Sequence, residues 1–514
     1  MTSPARASRF FPPWFVPAVL LLSLGLRVAL ALQGGQYFFG DEGRYDRGVQ
    51  LYQALATADL AGVRDIAGRP EHTLFPWLGA LVTVAQHGLA QFTPYDDWTH
   101  PENISFTKNL AAAVLALFSA LNLWLVYRLA RSLGADPDEA GWALLLMAAS
   151  NTAFYFARHL LPYECALSAN LAALCVGLGR PTAVAALGGG LLTGIAYHLY
   201  NGYWFAVPVV ALAFVLAHRR DPRALRLIIL YGIALALSLA LPVALGRWAG
   251  GPHYFATMGE FSRSATQGLF AEGWSLPWEY FWHSEGCLGI AVIFVLAAAL
   301  VAAGRSQPRR VAAVGVALLG TYGLLVLFSV VLERFVVYAR TVKPLVPAFC
   351  LLGGWSLAHL LALRPRLRLV ALVAIACSGA LHFWPHFTRV FPREVELTVL
   401  RTWGNPKHTL SVSGSIYIPL ALPVTRGDLA LVNCQMLYPI RGELGFPPGR
   451  TIFEVEHPLA YLPFQYESHT PQERAYLRRH DLSIRLVKLD DPAAVPADLP
   501  LPLRFQTADR PTGR

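Results

Sequence analysis

Eleven apolar runs, each long enough to cross a bilayer, recur along this chain and dictate what it can fold into. They lie near residues 13–33, 106–127, 140–157, 163–179, 181–198, 201–217, 226–247, 284–304, 311–331, 343–363 and 368–386. A spanning helix consumes about 20 residues, so the fold class expected is a polytopic α-helical membrane protein with about eleven transmembrane helices. Composition agrees, because 514 residues with 55% hydrophobic and only 14% charged side chains, at a mean hydropathy of +0.43, leave too little charge for a water-facing surface of that size. The six cysteines are scattered, with neither a disulfide framework nor zinc-type pairing. The formal charge of +10 comes from short basic clusters between apolar runs, not from one continuous basic face. Nucleic-acid binding is therefore not indicated, and the clusters read as topology signals.

Those clusters are Arg6/Arg9, Arg128/Arg131, Arg180, Arg219/Arg220/Arg223, Arg305/Arg309/Arg310 and Arg364/Arg366/Arg368. All fall on one side, which must be cytoplasmic, provided that Leu74–Phe92 does not span. That segment is expected to be an interfacial or re-entrant helix in the outer leaflet, within a first outer loop of about residues 34–105. The remaining loops carry Asp96, Asp97, Glu102, Glu260, Glu272 and Glu279 and face outward. Arg6, Arg9 and Ala29-Leu30-Ala31 resemble a cleavable leader, but the apolar run is long for one, and an uncleaved first helix is expected.

After residue 387, proline, charge and short alternating runs replace the apolar segments. Leu410–Val412, Ser415–Leu420, Leu429–Asn433 and Ile484–Leu489 read as strands and Pro471–His480 as a helix. The expected organisation is a transmembrane domain at 1–386 and a small soluble α/β domain at 387–514. An odd number of spans from a cytoplasmic N-terminus places the second domain outside.

Chemistry-bearing residues cluster in the outward loops. Asp41-Glu42-Gly43-Arg44-Tyr45-Asp46 follows the first apolar run, and adjacent carboxylates at a bilayer surface tend to raise one pKa, which suits a general base. Glu71-His72 leads into Leu74–Trp77, where an acid and an imidazole can sit at lipid-headgroup depth. Arg158, Arg340 and Lys343 are outward cations that run against the inside bias, and an anion such as a phosphate is the natural reason for them. The loop 250–283 is rich in aromatic rings, among them Trp274 and Trp278, which form an interfacial belt by default and could also wall a sugar site.

The ordered set resembles the C superfamily of membrane glycosyltransferases (GT-C), in the branch of protein O-mannosyltransferases and the lipid A aminoarabinose transferase. Asp41-Glu42-Gly43-Arg44-Tyr45 is similar to that group's first-loop Asp-Glu-x-Arg-Tyr. Glu71-His72 with Leu74–Trp77 is similar to its Glu-Lys/His-Pro-Pro-Leu-Tyr segment, although Thr73 stands where the proline pair begins. Tyr127-Arg128-Leu129-Ala130-Arg131, Ala157-Arg158 with Tyr163, and Gly194-Ile195-Ala196 follow, so the resemblance covers roughly Pro12 to Pro385. Tyr197-His198-Leu199 replaces the Thr-Lys often found after Gly-x-Ala.

The resemblance implies a polyprenyl-phosphate sugar as donor, Asp41 as catalytic carboxylate and Glu42 as its neighbour. His72, Arg158, Arg340, Lys343 and His198 are the candidate phosphate ligands, and Arg44, Tyr45, Glu71, Trp274 and Trp278 the candidate acceptor or sugar cavity. The expected reaction is inverting transfer to an envelope lipid, glycan or protein on the outer face of a bacterial inner membrane. The expected partners are the donor lipid, that acceptor and membrane lipids; neither a cofactor nor a metal is expected. The alternative is a multi-pass transporter or lipid flippase, which intramembrane charge also suits. The absence of two halves with matching hydropathy counts against it, and a non-catalytic envelope scaffold is the third reading.

Overall fold

Ten of the eleven apolar runs coincide with helices in the computed structural model, and the eleventh, 284–304, lies outside the described residues apart from Ser284 and Glu285. The structure describes residues 10–32, 43–92, 104–266, 284–285, 308–327, 339–362, 364–388 and four strands between 409 and 489. The helices are α1 (Phe15–Leu32), α2 (Gly43–Ala56), α3 (Leu60–Ala67), α4 (Phe75–Ala90), α5 (Ile104–Ser132), α6 (Pro137–Ala149), α7 (Asn151–Tyr155), α8 (Tyr163–Gly177), α9 (Ala183–Leu199) and α10 (Ala206–His218). They continue with α11 (Ala224–Trp248), α12 (Tyr254–Thr266), α13 (Pro308–Val326), α14 (Ala339–Val342), α15 (Leu345–Leu360) and α16 (Pro365–Thr388). Among the described residues four helices are long and apolar enough to cross a membrane, α6 with α7 makes a fifth if the bent pair is one span, and four shorter apolar helices accompany them.

The run read as one span at 140–157 is broken. α6 ends at Ser150, whose backbone is extended (φ −66°, ψ 123°), and the chain re-enters helix at a bend of 61°. The break is held from a distance: the buried Glu285 carboxylate accepts the backbone N–H groups of Asn151 and Thr152 and the hydroxyl of Ser150, at 2.8–2.9 Å. An anion at the N-terminus of α7 satisfies donors that the helix itself cannot.

Small residues let the helix backbones approach. At the α9–α11 contact a side chain on Gly194 would meet the Ser238 hydroxyl at 1.9 Å, and one on Gly190 the Tyr231 carbonyl at 2.3 Å. α6 and α15 close similarly at Gly354, as is usual where lipid supplies no hydrophobic drive between helices.

The first loop builds its own three-helix layer. α2 crosses α4 at Gly48 and Gly79, and Tyr45 of α2 reaches across to hydrogen-bond Thr83 (3.1 Å) and Gln86 (2.9 Å) of α4. The opposite face of α4 leaves Trp77, Leu81, Val84 and Leu89 exposed, an apolar surface of the kind an interfacial helix presents. Gly48→Ala should push the two helices apart, because its Cβ would stand 2.6 Å from the Gly79 Cα, and overpacking of that kind costs about 1–3 kcal/mol. A lowered thermal midpoint in detergent is expected for Gly48→Ala and no change for Gly25→Ala, whose Cβ meets nothing within 4 Å.

Beyond α16 the strands β1 (Thr409–Val412), β2 (Leu429–Asn433), β3 (Gly449–Glu456) and β4 (Ser483–Leu489) form one sheet in the order β1-β2-β4-β3. β1 runs parallel to β2; β4 is antiparallel to both β2 and β3. β1, β2 and β4 fall where the alternating pattern put strands, whereas β3 was not foreseen. Ser415–Leu420 and Pro471–His480 lie outside the described residues.

Candidate active site

The turn between α3 and α4 carries the first candidate side chain. His72 adopts a left-handed backbone (φ 53°) that side chains other than glycine rarely take. It is held there by Asn201, whose Oδ1 accepts the His72 N–H at 2.7 Å and whose own N–H donates to His72 Nδ1 at 3.3 Å. The ring stacks on Tyr200 at 5.1 Å between centroids. Burial first, and then the charges of Arg44 and Arg47, hold His72 well below the usual imidazole range, so it stays neutral.

His198 has a different place. Its Nδ1 meets the Thr73 hydroxyl at 3.4 Å, its Nε2 donates to the Leu239 carbonyl at 3.0 Å, and its own carbonyl accepts the Leu74 N–H. Both ring nitrogens are engaged within the protein, which makes His198 the tether of α4 to α9 and α11.

Next to Tyr200 stands Tyr163, the first residue of α8, with ring centroids 4.7 Å apart. Two guanidinium groups converge on its hydroxyl: Arg44 Nη1 donates at 3.3 Å and Arg340 Nη1 at 2.5 Å. Arg44 also lies over the Tyr200 ring and Arg340 over the Tyr163 ring, at 5.9 and 5.6 Å. Like charges brought this close favour an anion between or beside them. One helical turn after Arg340, Lys343 is fully buried, pairs with Glu164 and sits 4.7 Å from the Phe156 ring. Glu164 is further bound by Asn122 Nδ2 at 2.6 Å, and Asn122 Oδ1 accepts the Ser168 hydroxyl at 2.7 Å. Lys343 is thus spent on an internal carboxylate.

Arg158, in the short 3₁₀ turn Phe156–Arg158, is buried, with its charge bearing on His159 and His386. His386 in turn donates to Asn151 Oδ1 at 2.6 Å, at the α6–α7 break. Glu71 pairs with Arg47 at 3.2 Å, both partly exposed. Tyr45 points into the α2–α4 contact and not toward the arginine pair. Asp41, Glu42, Trp274 and Trp278 lie outside the described residues. Among the described residues no group of three or more His, Cys, Asp or Glu gathers in a form that could hold a metal ion.

The structure therefore brings His72, Arg44 and Arg340 around the Tyr200–Tyr163 ring pair, while His198 and Lys343 are turned to internal partners. Sequence reasoning did not single out Tyr200, Asn201 or Glu164 as parts of the site. Nor did it notice Arg27, a lone cation in the first apolar run that α1 buries fully against Ser119 (2.9 Å). Its signal was available, since an ionisable residue inside a spanning segment needs a partner or a task.

No protein-family model matches the chain, and no curated protein matches it significantly. Among solved structures the chain is similar to ArnT from Cupriavidus metallidurans in the apo state, at 15% identity and a TM-score of 0.48 over 75% of this chain and 67% of that one. The same protein bound to undecaprenyl phosphate gives 15% and 0.49 over 74% and 68%. The archaeal oligosaccharyltransferase AglB from Archaeoglobus fulgidus, in complex with an inhibitory peptide and a dolichol-phosphate, gives 11% and 0.46 over 73% and 55%.

Proposed function

We propose that this chain is an integral-membrane glycosyltransferase that moves a sugar from a polyprenyl-phosphate donor to an envelope acceptor on the outer face of the bacterial inner membrane. The observation that carries this reading is the meeting of Arg44, Arg340 and the buried His72 around Tyr163 and Tyr200. These donors come from three separate segments. Arg44 stands two residues after Glu42 in the acidic first-loop motif.

In this reading the two guanidinium groups and the His72 ring hold the lipid phosphate. Asp41, tuned by Glu42, takes the proton from the acceptor hydroxyl as its oxygen attacks the anomeric carbon. The new C–O bond forms as the bond to the phosphate oxygen breaks, with inversion, and the phosphate leaves with the electron pair. Fixed donors aimed at that developing charge, together with positioning, supply most of the rate. Arg158, buried beside His159 and His386, lends positive potential from behind. Lys343 supports the site through Glu164, the residue after Tyr163, and Glu71 keeps Arg47 on the first-loop side. Trp274 and Trp278 are assigned to the sugar-facing loop. The domain after residue 387 is assigned to the outer side.

Arg340→Ala removes a charge-assisted donor, so transfer from purified undecaprenyl-phosphate sugar should fall by roughly 10²-fold, with Arg340→Lys recovering only part because it lacks the planar fork. Binding of undecaprenyl phosphate to the same variants is the direct test of the donor class. Unchanged transfer and unchanged lipid binding in Arg340→Ala and Arg44→Ala would remove the phosphate site from this place.

A further inference from the structure

His72 combines three features that are each costly unless something uses them. The residue is only 4% exposed, its backbone is left-handed, and its Nε2 has no hydrogen-bond partner among the described residues. A buried donor left without an acceptor is among the rarer features of folded proteins.

The same contacts bear on which nitrogen carries the proton. Asn201 donates its backbone N–H to His72 Nδ1, so Nδ1 offers a lone pair and the hydrogen sits on Nε2. The side chain of Asn201 makes the second half of the clamp by accepting the His72 N–H at 2.7 Å. Asn201 is itself oriented: its Nδ2 donates to the Tyr254 hydroxyl at 3.2 Å, and that hydroxyl lies 2.9 Å from the Tyr197 hydroxyl. Gly202 completes the seat, because a Cβ there would fall 2.3 Å from the Tyr200 ring on which His72 stacks. Arg44 lies over that same Tyr200 ring, so an acceptor that reaches the His72 N–H is favoured when it carries negative charge.

We propose that Asn201 is a positioning residue that locks His72 as the Nε2–H tautomer in a left-handed turn, so that the ring presents one N–H to an anionic phosphate oxygen beside Arg44. This rests on the donor-lipid reading for the identity of the anion and on the hydrogen bonds alone for the tautomer. The ring contributes a neutral donor whose direction is set before the lipid arrives, and the guanidinium groups contribute the charge.

The two halves are tested on the full-length chain in lipid nanodiscs. Solid-state NMR of the histidine ring nitrogens, assigned by loss of the signal in His72→Gln, should show an unprotonated Nδ1 and a protonated Nε2 without undecaprenyl phosphate added. Asn201→Ala keeps the backbone N–H that donates to Nδ1 but loses the side chain that holds the His72 backbone, so the ring should drift from that N–H and give a mixture of tautomers. A wild-type ring protonated on Nδ1, or on both nitrogens at neutral pH, overturns the proposal.

With undecaprenyl phosphate as the probe, His72→Asn should lose about tenfold in affinity, the usual worth of one hydrogen bond to a charged group. His72→Gln, whose amide nitrogen falls near the Nε2 position, should bind several-fold more tightly than His72→Asn. This order is opposite to what backbone strain alone predicts, because asparagine tolerates the left-handed region better than glutamine. Asn201→Ala should lose affinity to a similar extent, and the loss should not multiply with that of His72→Asn. Losses that multiply, or asparagine outperforming glutamine at 72, sink the positioning role. A wild-type protein with the expected tautomer that binds no undecaprenyl phosphate overturns the donor reading and the ligand assigned here.

Discussion

Asp41→Asn is expected to leave binding of the polyprenyl-phosphate donor intact and to slow transfer by roughly two to four orders of magnitude, the usual worth of a general base. The substitution keeps the shape of the side chain and removes its basicity. Its motivation is the position of Asp41 in Asp-Glu-Gly-Arg-Tyr, in which Arg44 contacts Tyr163 and Tyr45 anchors α2 on α4. The motif is thereby divided between two tasks: its last two residues supply one member of the arginine pair and fix α2 on α4, and its first two are proposed for chemistry. Glu42→Gln should cost less if it only tunes its neighbour. Adjacent carboxylates titrate as a pair, so the assignment between them is made by the two variants and not by a pH profile. The measurement is transfer by folded variants, with lipid binding measured separately. Near wild-type transfer by both Asp41→Asn and Glu42→Gln would move the catalytic element elsewhere and reopen the enzyme reading itself.

The helices were legible because an apolar run of about 20 residues has few other ways to be stable. What the runs could not show were features caused by residues far along the chain. The break at Ser150 is invisible locally, since its anchor is Glu285, 135 residues away. β3 escaped for a local reason: Ile452 and Phe453 are adjacent apolar residues that spoil a period of two, and the register shifts between Thr451 and Phe453 at an irregularity in the strand. Among the candidate site residues, residue type alone did not resolve the partners. Arg340 and Lys343 looked alike as outward cations three residues apart. In the fold one reaches Tyr163 and the other Glu164, adjacent residues at the start of α8. His72 and His198 looked alike too, yet the first keeps a nitrogen without a partner among the described residues and the second has both engaged.

The Lys343–Glu164 pair gives the second large effect, on stability. Both side chains are almost entirely buried, and removing one partner of such a pair leaves an uncompensated charge in a poorly solvated place, typically at a cost of about 3–5 kcal/mol. Lys343→Met and Glu164→Gln should each lower the thermal midpoint sharply and reduce the yield of folded protein. Replacing both with apolar side chains of similar volume, Lys343→Met with Glu164→Leu, should restore much of the loss, since buried pairs are often no more stable than well-packed hydrophobic substitutes. Full recovery is not expected, because Asn122 donates to the Glu164 carboxylate at 2.6 Å and would lose that acceptor. The double variant also separates structure from catalysis. If Lys343 serves only to hold Glu164, and through it the start of α8 with Tyr163, the folded double variant should transfer sugar at close to the wild-type rate. A double variant that is stable but slow by about 10²-fold would assign the ammonium a direct share in stabilising the departing phosphate. Single variants as stable as the wild type would show that the pair does not bind α8 to the segment between α14 and α15.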